Sequence, residues 1–217
     1  GDARLQVVGE EVQRVLPIRG EPDRLPGPHR EVVGAAPVGD PLGARRLEFP
    51  LELPDDGGRA TIRPIRPEDA VMEQEFVLRL SDESRFLRFM FGLHDLTPAM
   101  LSKFTQIDYD REMALVVVRH APDGAADQQI GVARYITLQD EETCEFAIVL
   151  SDEWQGKGIA RRLFGHLIDV ARERRLKVMT GITLRENTRM IDLSRALGFA
   201  TRADTDEPEL VRMTLAF

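Results

Sequence analysis

Three apolar stretches follow one another at residues 113–119, 129–138 and 143–150, each of strand length. Asp123-Gly124 and Gln139-Asp140-Glu141-Glu142 supply the turns between them. The period then changes. From about Gly158 to Arg174, the residues Ala160, Leu163, Phe164, Leu167, Ile168 and Ala171 recur at helical spacing, with charges on the opposite side. An antiparallel meander that runs straight into an amphipathic helix leaves one solution, a mixed α/β sheet with the meander at its centre.

The flanks agree with that frame. Residues 59–66 (RATIRPIR) alternate and read as a strand, with Pro64 suited to an edge. Pro67-Glu68-Asp69 opens a helix towards Leu80, with proline and acids in its first turn. Ser81 to Ser84 open a second helix to about Met90, and Thr97-Pro98 a third. After the amphipathic helix come a strand at 177–183, a helix at 187–197, Gly198-Phe199, and a last strand near 210–216. The expected order is β-α-α-α-β-β-β-α-β-α-β, a mostly antiparallel mixed sheet flanked by helices. Residues 1–57 differ. Prolines 17, 22, 26, 28, 37, 41, 50 and 54 break up the chain from residue 17 on, and only Arg4 to Leu16 could hold a short element of regular structure. This part reads as a Pro/Gly-rich extension or linker, and residues 58–217 as the domain.

Composition narrows the function. The net charge of −8 argues against a nucleic-acid partner, which needs a basic face, and suits a cationic one such as an amine. The lone cysteine, Cys144, excludes an internal disulfide and a cysteine-based structural zinc site, and the four histidines lack ligand spacing, so no metal is expected. No apolar run reaches the roughly 18 residues of a membrane span, and no secretory h-region is visible. The expected location is the cytoplasm.

Between the third strand of the meander and the helix lies WQGKGIARRLF, Trp154 to Phe164. Gly156 and Gly158 flank Lys157 where the chain turns. Small residues let backbone approach a pyrophosphate, and the first N–H groups of the helix point at it. Lys157 and Arg161-Arg162 add positive charge. A P-loop is excluded, because Lys157 is followed by Gly158 and not by Ser or Thr. A dinucleotide fingerprint is excluded, because its third glycine position holds Arg161. On the loop alone, an anion site and an ordinary glycine turn stand side by side.

Context separates them. Gln155-Gly156-Lys157-Gly158-Ile159-Ala160 resembles the Q/R-x-x-G-x-G/A pattern of the GNAT superfamily of acyl-CoA-dependent N-acetyltransferases, in the same strand-to-helix setting. Asn187 and Gly198-Phe199 resemble its closing segment, and the likeness covers residues 58–217. TIRPIRPEDA, LSDESRFLRFMF, LTPAMLSKFTQIDYDREMALV, GVARY and CEFAIVLSDEWQGKGIARRL are similar to one branch, the bacterial protein-lysine acetyltransferases, often fused to an ADP-forming acyl-CoA synthetase-like region.

The resemblance implies a GNAT fold, acetyl-CoA as co-substrate, and transfer to a lysine amine on a target protein, with acyl-CoA synthetases the first candidates. A small-molecule amine acetyltransferase and a non-catalytic acyl-CoA sensor are the competing readings. A lysine amine is almost wholly protonated at neutral pH, so a base must take its proton. Alternation along 143–150 sets Cys144, Phe146, Ile148 and Leu150 on one face and Glu145, Ala147 and Val149 on the other. Glu145 is a lone carboxylate on a small apolar face and matches the branch's catalytic glutamate, so it is the expected base. The alternative is a structural pair with Arg134. Cys144 reads as a buried structural thiol. A backbone N–H of Val149 or Leu150 is the expected oxyanion donor. Ser194 stands where many relatives carry an acidic tyrosine for the leaving thiolate, and is the weaker candidate for that role. Asn187 is expected to contact the pantetheine or to cap its helix. Phe86, Phe89 and Phe91 border the acceptor cleft or belong to the core.

Overall fold

The computed structural model describes residues 47–54, 58–90, 92–121 and 125–217. Its strands are β1 (Phe49–Glu52), β2 (Arg59–Pro64), β3 (Glu112–Arg119), β4 (Gln128–Thr137), β5 (Thr143–Leu150), β6 (Val178–Leu184), β7 (Ala200–Ala203) and β8 (Leu210–Ala216). Its helices are α1 (Ala70–Arg79), α2 (Asp82–Phe89), α3 (Pro98–Thr105), α4 (Ile159–Glu173) and α5 (Thr188–Ala196). The strands form one sheet in the order β1-β2-β3-β4-β5-β6-β8-β7. All neighbours are antiparallel except β5 and β6.

Sequence chemistry accounts for the helix starts. Ser81 Oγ accepts from Ser84 N at 3.1 Å, Thr97 Oγ1 from Met100 N at 3.3 Å, and Asn187 Oδ1 from Met190 N at 3.2 Å. Both faces of the sheet are covered. Met113, Leu115 and Val117 of β3 pack with Leu163, Phe164 and Leu167 of α4. Their neighbours Ala114, Val116 and Val118 pack with Phe76, Phe89 and Phe104 on the side of α1 to α3. This double burial explains why β3 reads as an unbroken apolar run.

Two strands depart from expectation. The sheet begins before residue 58: β1 lies inside the segment expected to be an extension and pairs with β2 from Phe49↔Ile62 to Glu52↔Arg59. Phe49 stacks on His166 of α4, with ring centroids 3.8 Å apart, which ties this edge strand to the core. The second is β7, which pairs with β8. The rest of the proline-rich segment (1–46), the Asp123-Gly124 turn and Phe91 lie outside the described residues.

The feature that positions the site is where β5 meets β6. Parallel pairing covers Thr143↔Val178, Cys144↔Met179 and Glu145↔Thr180 and then stops. The next residues are Phe146 and Gly181. The Phe146 ring lies over Gly181, where an added Cβ would sit 2.6 Å from its Cε1 atom. That ring also packs on Phe164 and Phe199, so it has little room to yield. Gly181→Ala is therefore expected to destabilise the fold by about 1–3 kcal/mol, the usual cost of overpacking. A thermal melt reads this directly, and an unchanged Tm would mean the ring yields freely.

Candidate active site

Past Glu145 the two strands diverge, and a cleft of about 740 Å³ opens between them. One wall is β5 from Glu145 to Leu150, and α2, the start of α5, Ile182 and Thr183 of β6, and the glycine loop also line it. The ladder decides which backbone groups face the gap. Ser151 N donates to Ile130 O at 2.9 Å, and Leu138 N donates to Thr143 O at 2.8 Å. Odd-numbered residues of β5 therefore direct N–H and C=O to β4, and even-numbered residues direct theirs to the gap. Leu150 O accordingly accepts from the Gln155 side chain at 3.2 Å, outside the ladder. Of the two amides expected as oxyanion donors, Leu150 N–H faces the cleft. Val149 N–H belongs to the β4 ladder.

Glu145 lines the cleft at the last residue paired with β6. Arg134, its candidate partner, is buried on β4 opposite Ala147. There its guanidinium donates to Phe104 O at 3.0 Å and lies 4.5 Å from the Phe104 ring centroid. Burial lowers the Arg134 pKa, with Glu73 and Glu112 opposing that shift. Cys144 points the other way into the α4 core, and burial pushes its thiol up to about 12, in keeping with a structural thiol.

The glycine loop closes one end. Gly156 and Gly158 have φ of 73° and 80°, backbone that L side chains avoid. Gly158 is the N-cap of α4, so the N–H groups of Ile159, Ala160 and Arg161 form its open first turn. Ala160 and Arg161 line the cleft. Ile159, also expected at the loop, is buried in the core and does not line the cleft. Lys157 Nζ lies 5.0 Å over the Trp154 ring.

Gln155 works as a brace. Its Nε2 donates to Ser84 Oγ at 3.1 Å and to Leu150 O, while Oε1 accepts from Arg189 Nη1 at 3.0 Å. One side chain thus joins α2, β5 and α5. Asp152 adds to it, accepting from Ser81 N at 2.9 Å and from the hydroxyls of Ser81 and Ser84, each at 2.7 Å. Partial burial raises the Asp152 pKa, but these hydrogen bonds outweigh it and hold the carboxyl below the ordinary range. A depressed carboxyl stabilises the fold above its unfolded pKa of about 3.9, and that contribution fades as pH falls through the folded value. Asp152→Ala is expected to lower Tm at pH 7 by about 2–4 °C, roughly 1 kcal/mol after solvent screening. The gap to wild type should shrink below about pH 4. A gap independent of pH would show that ionised Asp152 is not the source.

Two expected residues are repositioned. Ser194 is 0% exposed, and its hydroxyl donates to Met213 Sδ at 3.0 Å. It sits behind the wall formed by Leu193 and Met213, so the structure does not bring it to the cleft as an acid. Asn187 does line the cleft, but its side chain caps α5 and its Nδ2 donates to Thr183 Oγ1 at 3.0 Å. Phe89 is core. The cleft face of α2 carries Glu83, Ser84, Leu87, Arg88 and Met90. Asp152, Arg189 and Arg88 were not foreseen, since each reads in the sequence as an ordinary surface charge.

Comparison with known proteins agrees with this fold. The family described as "Acetyltransferase (GNAT) domain" matches residues 59–200. A curated acetyltransferase of Pseudomonas aeruginosa is 38% identical over 166 residues, covering 76% of this chain and 88% of that relative. Among solved structures, the GNAT domain of S. lividans PAT superposes with a TM-score of 0.69 at 27% identity, covering 79% of this chain and 97% of that one. A structure of yncA from Salmonella typhimurium with its cofactor acetyl-CoA shares the fold, with a TM-score of 0.57 at 21% identity, covering 72% and 93%.

Proposed function

The chain belongs to the GNAT acetyltransferases, and on that premise we propose that it moves the acetyl group of acetyl-CoA to lysine side-chain amines of target proteins, acyl-CoA synthetases first among them. The observation that carries the reading is Glu145 on the cleft wall where β5 and β6 part.

The residues present fit acetyl-CoA. Positive-φ glycines with open space around them lead into the first turn of α4, a seat for a pyrophosphate. The gap-facing N–H and C=O groups of Ile148 match the amides of a pantetheine arm laid along β5. Glu145 takes a proton from the acceptor amine, directly or through one water, and the freed nitrogen attacks the thioester carbon. Leu150 N–H holds the charge that develops on the acetyl oxygen. The carbon–sulfur bond breaks, and the departing thiolate is protonated from water, since Ser194 is buried away from it.

Protein acceptors are supported by the stretches that resemble protein-lysine acetyltransferases, LSDESRFLRFMF and CEFAIVLSDEWQGKGIARRL, and by the net charge of −8, which favours a cationic acceptor. The test is labelled acetyl-CoA with the protein and a lysate, followed by mass spectrometry. Acetyl-lysine in protein is the expected result. Label confined to small amines would establish the small-molecule reading. Binding of acetyl-CoA with transfer to neither would establish a sensor.

A further inference from the structure

Arg88 stands out in the cleft wall. It is 8% exposed, on the last turn of α2. Among the described residues its guanidinium makes no hydrogen bond and no ion pair, and it lies 5.0 Å from the ring centroid of its neighbour Phe89. Among the described residues, the Nε atoms of Arg85, Arg134 and Arg174 also lack a hydrogen-bond partner, and they are sealed from solvent. The nitrogens of Arg88 are not, and the residue lines the cleft. Five donors in a planar fork are thus held in the wall, unpaired and reachable only through the cavity.

The surroundings define what would pair with them. Leu87 and Met90 flank Arg88 on the cleft side. Met90 reaches across the gap to pack on Leu210, Ile182 and Leu184, which closes this end with apolar surface. Burial pushes the Arg88 guanidinium down to about 9, with Arg134 adding to the effect and Glu73 opposing it. A buried, underpaired cation in an apolar end wall gains most from an anion that accepts two parallel hydrogen bonds.

We propose that Arg88 is a specificity-determining residue that binds a carboxylate of the substrate inside the cleft. The carboxylate arrives on the acyl chain of the CoA thioester or on the acceptor beside its amine. The inference rests on reading this cleft as the acyl-CoA and acceptor site, and it adds the charge of the group that site selects.

Two arms separate the sources, and both measure equilibrium binding to the full chain. The first compares succinyl-CoA with butyryl-CoA, which match in carbon count and differ in the terminal carboxylate. The second compares lysine peptides with Asp or Asn beside the lysine, added to the CoA-saturated protein. In one arm the wild type is expected to prefer the carboxylate by about tenfold or more, the range of hydrogen bonds to charged groups. Arg88→Gln should abolish the preference and leave the neutral ligand's Kd in place, and Arg88→Lys should keep part of it. A structural role would not shift selectivity between ligands of equal size. If Arg88→Gln fails to fold, the wild-type preference and its partial retention in Arg88→Lys decide the matter. No preference in either arm, or one that both variants keep in full, overturns the proposal. Absence of acetyl transfer to lysine peptides with the carboxylate preference intact would instead refute the lysine reading and leave Arg88 assigned.

Discussion

Glu145→Gln is expected to lower kcat by about 10²- to 10⁴-fold, the usual contribution of a positioned base, with acetyl-CoA affinity held within about twofold. The substitution keeps shape and removes only the proton acceptor. The two effects separate because of where the groups sit. Glu145 is at the last paired residue of β5 and β6, and the glycine loop begins beyond the far end of the same strand. Thiol release under saturating acetyl-CoA reads kcat, and calorimetry reads Kd. A parallel loss of both would show that catalysis and anchoring do not divide at this strand.

Gly158→Val is expected to show the converse, an acetyl-CoA Kd raised by about tenfold or more with kcat at saturation largely kept. Gly158 caps α4 with φ at 80°. An L residue there costs roughly 1–2 kcal/mol, and a β-branched one more. No atom within 4 Å of the added Cβ would clash, so the penalty comes from the backbone. The first turn of α4 then shifts away from the position in which its N–H groups converge. Because the cause is conformational, the replacements should rank. Asn tolerates the left-handed region and should retain most affinity, Ala less, and Val least. Equal affinity across the three would mean the loop does not seat the pyrophosphate.

The elements with local signals were legible in the sequence. β5 has the expected bounds, and each of α2, α3 and α5 begins directly after the residue whose side chain caps it. The glycine loop was legible because positive φ leaves a mark in the sequence. β1 and β7 were not, because FPLE and ATRA are four-residue strands that owe their conformation to a neighbour. In β1 the proline sits at the sheet edge, where a missing N–H is tolerated. The choice between Val149 and Leu150 needed the register with β4, and no pattern within one strand supplies that. Ser194 and Arg88 are both products of packing. A serine at helical spacing gives no sign that Met213 will cover it, and a basic residue on an amphipathic helix gives no sign that it will be walled in without an ion-pair partner.

The parting of β5 from β6 has a consequence for isotope exchange. A strand fifth in an eight-stranded sheet would ordinarily be protected along its whole length. Here protection should alternate residue by residue. The amides of Ala147 and Val149 point into the β4 ladder and should take up deuterium slowly. Those of Ile148 and Leu150 point into the cleft and should exchange fast, then slow when acyl-CoA is added. A sawtooth of protection within one strand, flattened by ligand, would be the signature of a sheet that is half open at its centre.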